Sequence, residues 1–227
     1  MSNIVVRVAL ATLLSAAPAV AQAADWEIVS LEGPVKVSAN GEWRALGANE
    51  TVRRGAWLKT GTRGTLTLRQ IGTQTTVALQ PRTQVSVAGL SGDDTATELL
   101  QRFGKTTLKV EKRDAPHFRV HTPYLTAIVK GTTLTVNAAR AKSWIGVDEG
   151  LVEVYDPARG VSTDIAGGQH AKAGQGTRQT LLVDGDGERA PIVQTRKRAP
   201  IMPPVGARRP VDPTTVDARN AAAAGLL

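Results

Sequence analysis

Residues 118–137 read Phe-Arg-Val-His-Thr-Pro-Tyr-Leu-Thr-Ala-Ile-Val-Lys-Gly-Thr-Thr-Leu-Thr-Val-Asn. Phe118 and Val120 alternate with Arg119 and His121. After Pro123, the run Ala127, Ile128, Val129 passes through Gly131 to Leu134 and Val136, which alternate with Thr133 and Thr135. Period two with β-branched residues specifies strands. Gly131 inside that pattern marks a bend, a bulge or a close approach of a second backbone, because a residue without Cβ permits all three. The stretch therefore predicts short strands joined by sharp turns.

The same grammar runs outward in both directions. Upstream, Val35 to Val37 and Trp43 to Leu46 flank Asn40-Gly41, a hairpin signal. Trp57 to Thr60, Thr65 to Leu68, Thr75 to Leu79 and Gln84 to Val87 follow, punctuated by Gly61, Gly64, Gly72 and Pro81. Downstream, Ser143 to Val147 and Leu151 to Tyr155 flank Asp148-Glu149-Gly150, which reads as a hairpin tip, and Val161 to Ile165 ends at Gly167-Gly168. Only Ala96 to Phe103 breaks the alternation; helical turns and an irregular strand both fit it. No helix of ordinary length is predicted, so the fold is all-β, with many short strands. Periodicity leaves open whether they form a sandwich-like pair of layers or a twisted, solenoid-like stack. In the coiled arrangement Leu66, Leu68, Val77, Leu79, Val85, Val87, Leu108, Val110, Leu134, Val136, Val152 and Val154 form the interior, each worth on the order of 1.5–3 kcal/mol when buried. Trp57, in an apolar run, is expected in the core, and Trp26 at the domain's edge.

The order Phe118-x-Val120-x-Thr122-Pro123, then Val129-Lys130-Gly131-Thr132-x-Leu134-x-Val136, then Glu149-Gly150-x-Val152-x-Val154 resembles the FecR domain of bacterial envelope signalling proteins. Thr60-Gly61 with Gly64, then Gly72-Thr73, then Leu79-x-Pro81-x-Thr83 extend the likeness upstream, so that it covers about Trp26 to Gly174. Two positions depart from the family pattern: Lys130 replaces the usual Arg, and Ile71 stands where an acidic residue commonly precedes the glycine. The resemblance implies a twisted, solenoid-like winding and mainly structural roles for Thr60, Gly61, Gly64, Gly72, Pro81, Thr122, Pro123, Lys130, Gly131, Thr132, Glu149 and Gly150. FecR proteins as a class relay signals between an outer-membrane transporter and a cytoplasmic sigma factor, using a cytoplasmic region, a transmembrane helix and a C-terminal docking domain. None of these three parts is legible here, so sigma regulation is not carried over and the expectation is a stand-alone exported domain.

Residues 1–23 support export. Arg7 precedes the apolar run Val8 to Ala17, and Ala21-Gln22-Ala23 has the small residues of a cleavage site, so the segment reads as a signal peptide cleaved after Ala23. The run is too short to span a bilayer, and a periplasmic mature chain without a transmembrane segment is expected. With no cysteine there is neither a disulfide nor a lipidation site. Removing Arg7 takes the formal net charge from +8 to +7, an excess that favours anionic envelope surfaces through long-range attraction. The β domain is expected to span residues 24–176. Residues 177–227 hold six of the twelve prolines and the basic clusters Arg196-Lys197-Arg198 and Arg208-Arg209; this composition predicts a tail disordered for the most part beyond Gly187, with one last strand at Thr180 to Val183.

Catalytic patterns are missing. There is no Gly-x-Ser-x-Gly elbow and no phosphate-binding loop. His117 and His121 lie four apart, which in one strand separates them by about 13 Å, and they are expected as solvated side chains. Asp148 and Glu149 are neighbours that a strand would send to opposite faces. The sequence thus predicts no enzyme, no cofactor and no metal. Low aromatic content and export argue against nucleic acid. The expected function is a binding or sensory module in envelope signalling that contacts a periplasmic or membrane-sensor protein; the alternative is a structural protein on peptidoglycan or another anionic polysaccharide. Lys130, Trp43 and Trp144 are the candidate partner contacts.

Overall fold

The computed structural model describes residues 26–39, 41–88, 96–175 and 181–195. The expected signal peptide, Asn40 of the Asn-Gly turn and the two basic clusters of the tail lie outside them. Eighteen strands follow one another without a helix among the described residues. They are β1 (Trp26–Glu32), β2 (Val35–Ser38), β3 (Arg44–Ala45), β4 (Thr51–Val52), β5 (Trp57–Thr60), β6 (Thr65–Gln70), β7 (Thr76–Leu79), β8 (Gln84–Ala88), β9 (Thr97–Lys109), β10 (Phe118–His121), β11 (Thr126–Val129), β12 (Thr133–Ala138), β13 (Lys142–Glu149), β14 (Leu151–Asp156), β15 (Val161–Ala166), β16 (Gln169–Gly174), β17 (Leu182–Gly185) and β18 (Val193–Gln194).

These strands form two ladders. One runs β4-β1-β6-β7-β9-β12-β13-β16-β17. The other runs β3-β2-β5-β8-β9-β10-β11-β14-β15-β18. All pairings are antiparallel except β9 with β10. The chain lays a hairpin on one ladder and then crosses to the other: β10–β11, β12–β13, β14–β15 and β16–β17 alternate between them. The winding therefore progresses as a solenoid does, while the cross-section is two layers.

Strand β9 joins the layers. Residues 98–103 pair with β8 in the second ladder and residues 104–109 with β12 in the first. Gly104 is the pivot, with φ at +96°, a conformation glycine adopts without the cost a Cβ imposes. Before it Leu99 and Gln101 are buried; after it Thr106 and Leu108 are. The core-facing parity changes from odd to even at the pivot, and before it Glu98 is buried beside Leu99, so the segment from Ala96 to Phe103 shows no clean alternation.

All twelve residues expected inside are buried, in one cluster drawn from both ladders. Trp26 is buried too and meets Phe118 edge to face across the two ladders, 6.4 Å between ring centroids. Trp57 corrects the expectation of a core position. In β5 it is Leu58 and Thr60 that point inward, leaving the indole half-buried on the outer face beneath the Arg102 guanidinium, 4.9 Å from its centroid. Strand order also continues past the expected boundary at residue 176. Leu181 is buried, β17 pairs with β16, and β18 pairs with β15 although it lies beyond Gly187. Low apolar content does not prevent such strands, because an existing sheet edge supplies their backbone partners.

Candidate functional site

Most of the motif residues fasten successive turns of the winding. Thr60 donates from Oγ1 to the Gln80 carbonyl at 2.7 Å and accepts from the Thr83 amide at 2.9 Å. Gly61 faces the Pro34 ring, where an added Cβ would come within 2.7 Å, and Gly64 sits against the Pro34 carbonyl. Pro81 begins the turn between β7 and β8, and Gly72 lies in the β6–β7 turn with φ at +79°. Thr122, next to Pro123, closes the β10–β11 turn by accepting from the Leu125 amide and donating to its carbonyl, at 2.9 and 2.7 Å.

The remaining five motif residues, separated in sequence, meet in one place. Lys130, Gly131 and Thr132 from the β11–β12 turn and Glu149 and Gly150 from the β13–β14 tip line an open groove of about 790 Å³. The segment after β9 lies directly on the first of these turns. The Arg113 amide donates to the Lys130 carbonyl at 2.8 Å, and the Val110 amide to the Thr132 carbonyl at 2.9 Å. Gly131 makes this possible, since a Cβ there would stand 2.7 Å from Lys112 Cβ and closer still to its Cα. Gly150, with φ at +97°, brings the hairpin tip against Gly131 and Thr132 from the other side.

The groove is mixed in charge. Lys109, Lys112, Arg113 and Lys130 face Glu111, Glu149, Glu153 and Asp164, and the nearest pair, Arg113 with Glu111, is 3.7 Å apart. Its floor includes Ile128 of β11, and Leu151 at its rim is 57% exposed. Thr132 Oγ1 is buried there without a hydrogen-bond partner. The sequence reading named the two turns, but missed the run from Lys109 to Arg113 and Asp164. Their signal, charged residues bordering a strand, is indistinguishable from that of an ordinary loop.

The other candidate contacts lie elsewhere. Trp43, 39% exposed, precedes β3 near the opposite end of the winding. Trp144 lies on the outer face of the first ladder, beside His170. Neither lines the groove.

The histidines correct the expectation of solvated side chains. His117 and His121 are both buried. His117 precedes β10 rather than sharing it, and burial pushes its imidazole below the ordinary value. The parallel pairing of β9 with β10 brings in Glu98, a partner no local reading supplies. Glu98 Oε2 stands 2.9 Å from His121 Nε2, close in distance but not aligned as a hydrogen bond. Arg119 Nη1 is 3.4 Å from the other carboxylate oxygen, and Thr126 Oγ1 is 3.2 Å from His121 Nδ1. Burial first, and the Arg119 charge second, push His121 down to about 4, so the ring is neutral at pH 7 and the cluster is a polar brace between β9, β10 and β11. Among the described residues, no group of three His, Asp or Glu is placed to hold a metal ion.

The described fold is thus two coiled ladders with a mixed-charge groove between the β11–β12 turn and the β13–β14 tip. Residues 57–153 match the family model described as FecR protein, so this part of the chain is a FecR domain. Two crystal structures of a candidate anti-sigma factor from Parabacteroides distasonis, at 2.50 and 1.65 Å resolution, are similar at 16% and 18% identity, with TM-scores of 0.49 and 0.47. Each alignment covers 57% of this chain, which spans 59% of the length of those proteins. A comparison with curated proteins finds no match.

Proposed function

We propose that the chain is an exported signalling module, resident in the periplasm after removal of residues 1–23, that acts by protein–protein contact through the groove between the β11–β12 and β13–β14 turns. The observation that carries this reading is the convergence of Lys130 to Thr132 with Glu149 and Gly150 on one open surface. Four cationic and four acidic side chains around an apolar floor suit the mixed surface of a protein better than a polyanion, which the four carboxylates would repel. The FecR domain at residues 57–153 supports signalling as the context, and a periplasmic or membrane-sensor protein is the partner proposed. Catalysis has no part in this function.

The test is photo-crosslinking in cells from position 151, with position 43 as the control and loss of residues 1–23 followed in the same fractions. A discrete protein adduct from position 151 alone supports the reading. Adducts of equal yield from both positions would refute it.

A further inference from the structure

The outer face of the first ladder carries a second arrangement, apart from the groove. Across β9, β12, β13 and β16, Lys105, Asn137, Trp144 and Lys172 are cross-strand neighbours in a single row. The adjacent row holds Thr107, Thr135, Gly146 and His170. Their inward neighbours Thr106, Leu108, Val136, Ile145, Ala171 and Ala173 are buried, so both rows face outward.

Gly146 has a role here that its backbone does not explain, because its φ is not among the positive ones. The Trp144 ring lies across it: an added Cβ would stand 2.7 Å from indole Cζ2 and closer still to Cη2. The glycine lets the indole lie down along the sheet instead of standing away from it. His170 continues the platform, with ring centroids 5.6 Å apart and planes tilted by 37°. Thr107 and Thr135, with hydroxyls 3.4 Å apart, extend it over two further strands.

We propose that this face binds a linear acidic polysaccharide. A flat-lying aromatic ring offers its face to the C–H side of a sugar ring. Hydroxyl and amide groups beside it can donate and accept along the chain. Strands about 4.8 Å apart repeat those groups at close to the length of one pyranose residue. Across these four strands the two rows hold Lys105 and Lys172 and no carboxylate, and Asp184, which lies opposite His170 on the next strand β17, is paired with Arg189 at 3.0 Å, so the complementary charge is a sugar carboxylate, as in a uronate polymer. Nucleic acid fits less well, because one indole gives no succession of stacking surfaces. The surface is distinct from the groove, so its failure would leave the signalling reading standing.

The experiment is affinity electrophoresis of the purified protein in gels containing polygalacturonate or, separately, hydroxyethylcellulose. Retardation is expected in polygalacturonate and not in the neutral polymer. Trp144→Ala is expected to weaken it about tenfold, a change of about 1.4 kcal/mol. Gly146→Val, which keeps the indole but lifts it from the sheet, is expected to do the same, with melting curves confirming that both variants fold. Lys105→Gln with Lys172→Gln should weaken binding, whereas Lys36→Gln with Lys59→Gln, exposed on the second ladder, should not. Equal losses from the two lysine pairs, or unchanged binding by Trp144→Ala, would reduce the effect to general attraction of a basic protein for a polyanion and overturn the proposal. So would retardation by the neutral polymer or none by polygalacturonate.

Discussion

Replacing Gly131 with valine should destabilise the fold severely although the residue has an ordinary backbone conformation. The new Cβ would stand 2.7 Å from Lys112 Cβ and closer still to its Cα, so the backbone after β9 must withdraw from the turn. Overpacking of this kind costs about 1–3 kcal/mol. Withdrawal also breaks the bonds from the Arg113 amide to Lys130 and from the Val110 amide to Thr132, each contributing about 1 kcal/mol net. Together these give about 3–5 kcal/mol, or a fall in Tm of roughly 6–20 °C for a domain of this size. Urea unfolding followed by far-UV circular dichroism reads the loss directly. Gly41→Ala is the contrast: φ at +92° there, but no atom within 4 Å of the new Cβ, and an expected cost of only about 1–2 kcal/mol. A Gly131→Val protein within 1 kcal/mol of the unsubstituted chain would refute the argument that close backbone approach fixes this turn.

Other perturbations read other parts of the account. Thr60→Val keeps the shape but leaves the Thr83 amide without the hydroxyl it donates to and the Gln80 carbonyl without its donor; a loss of about 1–3 kcal/mol should shift the urea midpoint without changing the slope. His121 has a folded-state value near 4, below its unfolded value near 6.5, so the unfolded chain takes the proton more readily. Stability should therefore be full above pH 6.5 and decline as pH falls toward 4, by about 3 kcal/mol over the whole interval. His121→Gln should flatten that part of the profile, and parallel pH curves for the two proteins would contradict the burial argument.

How much of this was legible depended on whether the periodicity stayed in frame. Leu66, Leu68, Leu134 and Val136 alternate with threonines in short strands, and each is buried as the pattern requires. Strand β9 buries Glu98 and Leu99 side by side and then changes parity at Gly104, so no single alternating frame fits it. Strand β16 alternates too, but its inward residues Ala171 and Ala173 are small enough to give a weak signal. Trp57 shows that an apolar run does not say which of its members faces inward; the sheet's pleat decided for Leu58.

The site was legible in its turns and not in its assembly. Lys130-Gly131-Thr132 and Glu149-Gly150 could be named from their order, but their meeting depends on the β11–β14 pairing. The segment from Lys109 to Arg113 joins them through contacts with Gly131. Glu98 reaches His121 through the one parallel pairing among the described residues, between positions more than twenty apart. Nothing local in the sequence encodes either contact.

The central claim is that the groove, rather than the basic surface at large, contacts the partner. It is tested most directly by placing a photo-crosslinker at position 130 and comparing adduct yield in the unsubstituted background with that in Leu151→Asp, which puts a charge on the exposed rim without touching the core. A discrete protein adduct that falls by about tenfold or more in the variant, the scale of a lost interface anchor, is the predicted result. An adduct of unchanged yield would place the contact outside the groove and contradict the account.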